Sequence, residues 1–296
     1  LLMDRLSLPP RFIKQLFANH HVYLGNQAAT ESDLIRANQH LRLDGINDGL
    51  GLSETVNWES ELPEVLYEDE HVLVVNKPAG ILVYPGDARD HDTLMDRLLK
   101  YYALNGLSRK VRHVHRLDRQ TSGALLYAKH AYSARAMDTL LAKRRISRTY
   151  IALVHGVLQP RAGTITSAIG RDRHVSGRYR ISERGKQAIT HYETIGIAED
   201  SSTQRISLLK CKLETGRTHQ IRVHLASLGH PIVGDKLYAD GPASKGQWAW
   251  RDEHALHARM LSFVHPYLNQ EIEVMAPIPD LFQQTMAKLG LTEAGK

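Results

Sequence analysis

From Leu62 onward the apolar residues come in short runs closed by Pro, Gly or charged residues, with only a few helical stretches between them. That pattern constrains the fold more than any other feature of the chain. Val72–Asn76 reads as a buried strand ended by the turn Lys77-Pro78-Ala79-Gly80, and Ile81–Tyr84 as extended chain running to Pro85-Gly86. Ala124–Ala128, Thr149–Val157 and Ser207–Glu214 read as further strands. Helices are expected over Thr93–Tyr102, where Leu94, Leu98 and Tyr101 share a face, over Tyr132–Arg145, and over Thr218–Leu228. Many strands with a few helices to one side predict an α+β fold: a mixed, mostly antiparallel sheet flanked by helices.

The 296 residues exceed what one ordinary domain needs. Residues 9–43 read as a small helical piece with a short strand. Pro9-Pro10 opens the helix, Phe12, Ile13, Leu16 and Phe17 give it an apolar face, and His21–Leu24 extends. The glycine-rich stretch Gly45–Ser53 reads as a linker. The expected division is therefore an N-terminal module and linker over 1–60 and a larger domain over 61–296.

Charge is unevenly placed. Residues 1–75 hold 5 Lys/Arg against 12 Asp/Glu, residues 109–149 hold 11 against 2, and residues 161–190 hold 7 against 2. An acidic start followed by a basic middle suggests one polyanion-facing surface. Apolar runs such as Val72–Val75 are far too short to span a bilayer, so no membrane partner is expected. No apolar signal region precedes Pro9, and the single Cys211 cannot form an internal disulfide. Both point to the cytoplasm. With no strongly apolar exposed face to read, a monomer without a required protein partner is expected.

Two segments carry chemistry. In His113-Val114-His115-Arg116-Leu117-Asp118-Arg119-Gln120-Thr121-Ser122-Gly123, Asp118 sits in a polar loop between extended segments, flanked by Arg116 and Arg119. Nearby cations favour the carboxylate, which suits a nucleophile or a stabiliser of developing positive charge better than a general base. An Asp paired at the surface is the plainer alternative. His113, His115 and Asp118 also permit a zinc site of a metal-dependent hydrolase, although no cysteine pair or His-Glu-x-x-His supports one. The second segment, Thr215-Gly216-Arg217-Thr218-His219-Gln220-Ile221-Arg222, reads as a helix start whose free N–H groups suit an anion, with Arg217 placed to clamp it. Nucleotide and redox fingerprints are missing, so no cofactor is expected.

His115–Gly123 resembles the His-Arg-Leu-Asp-x-x-Thr-Ser-Gly signature of the RluA-type RNA pseudouridine synthases. Leu73–Gly80, Arg148–Gly156, Gly216–Arg222 with Gly229–Asp235, Leu256–Ala258 and Phe263–Pro266 resemble further blocks of that family, in family order. The resemblance implies an isomerase that turns uridines of structured RNA, ribosomal or transfer, into pseudouridine. It implies Asp118 as the essential carboxylate, Arg217 as the arginine that holds it, and Tyr150 as the ring that stacks on uracil. Arg116 would help hold a flipped nucleotide. Arg119, His115, Thr121, Arg222 and His219 would face RNA with it. Relatives often carry His where Tyr84 stands, and a basic N-terminal RNA-binding module where residues 9–43 are acidic. A non-catalytic RNA-binding protein on the same fold is the alternative in a different class.

Overall fold

The computed structural model describes residues 1–44, 56–87, 90–107, 109–199, 204–239, 250 and 253–293. The expected linker Gly45–Ser53 lies outside the described residues. Before it, α1 (Pro10–Ala18) packs on a three-stranded antiparallel sheet of β1 (Val22–Leu24), β2 (Gln27–Ala28) and β3 (Leu41–Leu43). Two of these strands are not foreseen in the sequence, because runs of two or three residues leave no periodicity to read.

The rest is organised by one sheet, ten-stranded among the described residues. Its strands are β4 (Glu64–Glu68), β5 (Val72–Lys77), β6 (Arg112–His113), β7 (Ser122–Ala128), β8 (Ile146–His155), β9 (Ala162–Thr166), then, after a separate hairpin of β10 (Ile169–Arg171) and β11 (Tyr179–Ile181), β12 (Ile189–Glu199), β13 (Arg205–Leu213), β14 (Leu256–Val264) and β15 (Glu271–Met275). The main order is β4-β5-β7-β14-β8-β13-β12-β9, with β15 on β14 and β6 on β7. Only the β7–β14 pair is parallel. The α+β expectation of a mixed, mostly antiparallel sheet holds.

Helices cover both faces rather than one. On β5 and β7, Leu73, Val75, Leu125 and Tyr127 pack with Leu94, Leu98 and Tyr102 of α2 (Leu94–Leu104). Val72, Val74, Ala124 and Leu126 pack on the other face with Met137 and Leu140 of α3 (Ala131–Ala142). Alternate residues thus feed two cores, which is why these strands read as unbroken apolar runs. Thr93 and Asp96 form a reciprocal capping box that starts α2. Ile81–Tyr84 is not a strand. The carbonyls of Leu82 and Val83 receive the N–H groups of Leu94 and Met95, and Ile81 O receives Lys77, so no ladder is available there.

The N-terminal module packs on α3 through Phe12 and Tyr132, whose ring centroids lie 5.7 Å apart, and Tyr132 donates to Asp44 O. At the other end α4 (Gln220–Ser227) lies against β11 and β12, and α5 (Asp280–Lys288) packs Phe282 edge-on to Trp250.

Candidate active site

The loop between β6 and β7 carries Asp118 and is fixed from several sides. Buried Lys77 donates to the carbonyls of Pro78, Ile81 and Arg119, and Gly80 N–H donates to Arg119 O, tying the turn after β5 to this loop. Thr121 Oγ1 pairs with His254 Nε2 at 2.8 Å and Ser122 Oγ with His257 Nδ1 at 2.9 Å, both buried. Gly123 has φ +114°, and a Cβ there would stand 2.3 Å from Ala258 O of β14. Only glycine lets the two parallel strands meet so closely.

Arg222, in the first turn of α4, holds the carboxylate. Its Nε and Nη2 bond Asp235 at 2.7 and 2.9 Å, leaving Nη1 to donate to Asp118 Oδ2 at 3.0 Å. Its guanidinium also lies 5.0 Å from the centroid of the Tyr238 ring. Burial works to raise the Asp118 pKa, but the charges around it and the Arg222 bond outweigh burial and bring it below the usual carboxylate range. Burial pushes His254 down to about 4, and it lowers His219 as well. Arg222, bonded to the carboxylate, is a permanent cation that favours ionised Asp118. His219 Nε2 stands 3.9 Å from Asp118 Oδ2, and its Nδ1 is bonded to the Tyr238 hydroxyl.

Arg217 does not make the expected ion pair. Its Nε donates to Gln187 O, and its side chain lies exposed at the cleft rim. The helix begins at Gln220 rather than Thr218, after His219 in the left-handed region (φ 56°), and Gln220 Oε1 accepts the Arg217 N–H. The Arg217 N–H, at least, is therefore taken up within the chain rather than left for an anion. Three residues expected to face RNA line the cleft but are buried: Arg222 is held by Asp235 and Asp118, and His115 accepts the Leu126 N–H and is pushed down to about 3 by burial. The third, Thr121, is buried on His254.

Arg116 is exposed at the rim, 5.2 Å from the Tyr84 centroid, and Tyr84 stacks on His113. Arg119 is exposed and donates to Gly80 O. His113, His115 and Asp118 thus face three different neighbours, and among the described residues no group of three His, Cys, Asp or Glu is arranged to hold a metal. The alternative zinc set does not converge.

Tyr150 of β8 comes to the same cleft, about 630 Å³ in volume, as Asp118, Arg116, Arg217, His219 and Arg222. That is within the roughly 300–1,000 Å³ usual for small-molecule sites. Burial raises the Tyr150 pKa, so its phenol stays protonated at neutral pH. Arg148 and Asp235 lie in blocks that resemble the family but carry no role in the sequence reading, and Tyr238 and His254 do not stand out there. Their types are common and their spacings unremarkable until β8, α4 and the segment before β14 are brought together.

A protein-family model described as RNA pseudouridylate synthase matches residues 71–227. Over 271 residues the chain is 44% identical to the uncharacterized RNA pseudouridine synthase YhcT of Bacillus subtilis, spanning 90% of this chain and 82% of that protein. This chain belongs to the RluA-type RNA pseudouridine synthase family. It is also 36% identical over 279 residues to ribosomal large subunit pseudouridine synthase D of Xanthomonas campestris, spanning 90% of this chain and 80% of that one. Among solved structures, human RNA pseudouridylate synthase domain containing 1 aligns with TM-score 0.62 and 27% identity, over 80% of this chain and 98% of that one. The protein is thus a pseudouridine synthase, an isomerase acting on RNA.

For such a synthase the cleft offers a held, ionised carboxylate, an aromatic ring beside it, and exposed arginines at the mouth. The chemistry is redox-neutral: N1–C1′ breaks, the base turns, and C5 joins C1′. A carboxylate held charged by a doubly anchored arginine suits attack at an electron-poor carbon without a proton transfer to prepare it.

Proposed function

We propose that this synthase isomerises specific uridines of structured RNA, ribosomal or transfer, with Asp118 as its essential carboxylate. The observation that carries the reading is the Asp235–Arg222–Asp118 chain of bonds, which presents an ionised carboxylate beside Tyr150 in a cleft of nucleotide size. In this reading Tyr150 packs against uracil, and Arg222 takes the orienting role that the family resemblance gives to Arg217. Arg116, Arg119 and Arg217 at the surface meet phosphates, and a target base leaves its stack to enter. Residues 61–296 carry the catalysis, with 1–60 as an accessory module. The enzyme acts as a cytoplasmic monomer, without a cofactor or an obligate protein partner.

The test is tritium release from uridine-5-tritiated RNA of a strain lacking the gene, with wild type beside Asp118→Asn, with and without chelator. The C5 hydrogen must leave when C5 becomes the glycosidic carbon, so release reads the reaction itself. Chelator-insensitive release by wild type, absent in the variant, is expected. RNA binding without release from any fraction overturns the catalytic reading and leaves an RNA-binding protein.

A further inference from the structure

Arg148 stands two residues before Tyr150 on β8, and so on the same face of the strand. It lines the cleft yet is only 7% exposed, and its Nε is buried with no hydrogen-bond partner among the described residues. A guanidinium is always charged, and a buried donor left unmade is costly, so such a group is expected where a ligand completes it. Of the three carboxylates lining the cleft, Asp118 is engaged by Arg222 and Glu214 by Arg144 and His191, while the charges acting on Asp138 are those of Arg135 and His113. The chain also leaves room for this side chain. A Cβ on Gly216 would lie 2.8 Å from Arg148 Nη1.

Depth distinguishes Arg148 from the other cleft cations. Arg116, Arg144 and Arg217 are exposed at the rim, where the continuing RNA backbone must pass. Arg148 lies inside, next to the ring proposed to stack on the base. We propose that Arg148 is a further substrate-contacting residue that binds the carbonyl oxygens of the target uracil and holds their charge during the reaction. When N1–C1′ breaks, its electron pair stays on uracil, spread over N1, O2 and O4. When C5 bonds C1′, the C5 proton leaves and N1 regains one, so no oxidant or reductant is involved. A fixed cation beside O2 or O4 is worth most at the moment of that charge, in a site screened from water.

This inference rests on the proposed catalytic cleft, and its test separates the two. Single-turnover tritium release and RNA affinity across a salt series are measured for wild type, Asp118→Asn, Arg148→Met, Arg148→Lys and Gly216→Ala, each with its thermal midpoint. Arg148→Met is expected to lower the single-turnover rate at saturating enzyme by on the order of 100-fold, as for loss of one oxyanion donor. Its affinity and salt slope should match wild type. Arg148→Lys restores part of the rate, and Gly216→Ala, which displaces the guanidinium without removing it, lowers the rate in the same direction. If Arg148→Met does not fold, the other two variants decide the question on the same readouts. A salt slope reduced by about one, with the rate restored at saturation, makes Arg148 a phosphate contact and overturns the proposal. Wild-type rates in these variants overturn it too, while a dead Asp118→Asn leaves the catalytic reading standing. A wild type that releases no tritium sinks the catalytic reading itself.

Discussion

Asp235 takes two nitrogens of Arg222 and thereby aims the third, Nη1, at Asp118. A planar fork held along one edge has no remaining freedom to turn its other edge, so the acceptor of the bidentate pair sets the direction of the catalytic contact.

That relationship separates the two arginines of the Gly216–Arg222 segment. Arg222→Ala leaves buried Asp235 and Asp118 uncompensated, and is expected to abolish turnover and cost about 3–5 kcal/mol of stability. Arg222→Lys keeps the charge but not the fork, and should fail in turnover as well. Arg217→Ala should retain the single-turnover rate and weaken RNA binding, with a shallower salt dependence. Denaturant unfolding, tritium release and RNA titration read these outcomes; a catalytically dead Arg217→Ala with normal affinity would return the orienting role to Arg217.

Gly123→Ala is expected to be among the most damaging single-methyl changes in the chain. The new Cβ meets the main chain of Ala258, which cannot rotate away, and the φ of +114° is itself strained for alanine. Overpacking of this kind costs roughly 1–3 kcal/mol. Because the same strand start carries the loop of Asp118, activity should fall further than stability alone explains. Chemical denaturation together with activity at low temperature checks both parts; a wild-type midpoint would show that β7 and β14 separate easily.

Three buried histidines make stability depend on acid. Burial pushes His115 down to about 3, and His254 and His257 to about 4, from an ordinary value of 6.5. In the unfolded chain they take up protons near 6.5, whereas in the folded protein they do so only near 3–4. The unfolded state therefore binds more protons between those values, and stability falls as pH drops from about 6.5 towards 4. Above about 6.5 the three contribute no slope. Unfolding free energies measured from about pH 7.5 to about 4.5 should decline through this window, and His254→Gln with His257→Gln should flatten the decline. A flat wild-type profile would mean these rings accept protons without unfolding.

Tyr150→Phe keeps the ring and removes the hydroxyl. If that hydroxyl handles the proton leaving C5, RNA affinity should hold while the single-turnover rate falls by about 100-fold or more, the usual span for acid–base groups. Tyr150→Leu should lose affinity for the flipped nucleotide as well. Equal rates for Phe and Tyr would confine the residue to stacking.

What the chain's order alone determined was local. Val72–Asn76 and Ala124–Ala128 announce strands because both faces are buried, and Thr93–Tyr102 announces a helix because Leu94, Leu98 and Tyr101 recur on one face. Asp118 was legible because its signature is contiguous and its cationic neighbours are adjacent in sequence. Tertiary structure decided what depends on phase and on distant partners. Arg217 and Arg222 stand in one basic segment, and α4 begins two residues later than its pattern suggests. At about 100° of turn per residue, where a helix starts decides which side chain faces Asp118. His115 and Thr121 look polar and available in sequence, yet Leu126 and His254 absorb them, since a buried polar group must find a partner wherever the fold provides one. Arg148 is the converse case: a basic residue on a strand becomes notable only because the fold buries it in a cleft and leaves its Nε without a partner among the described residues.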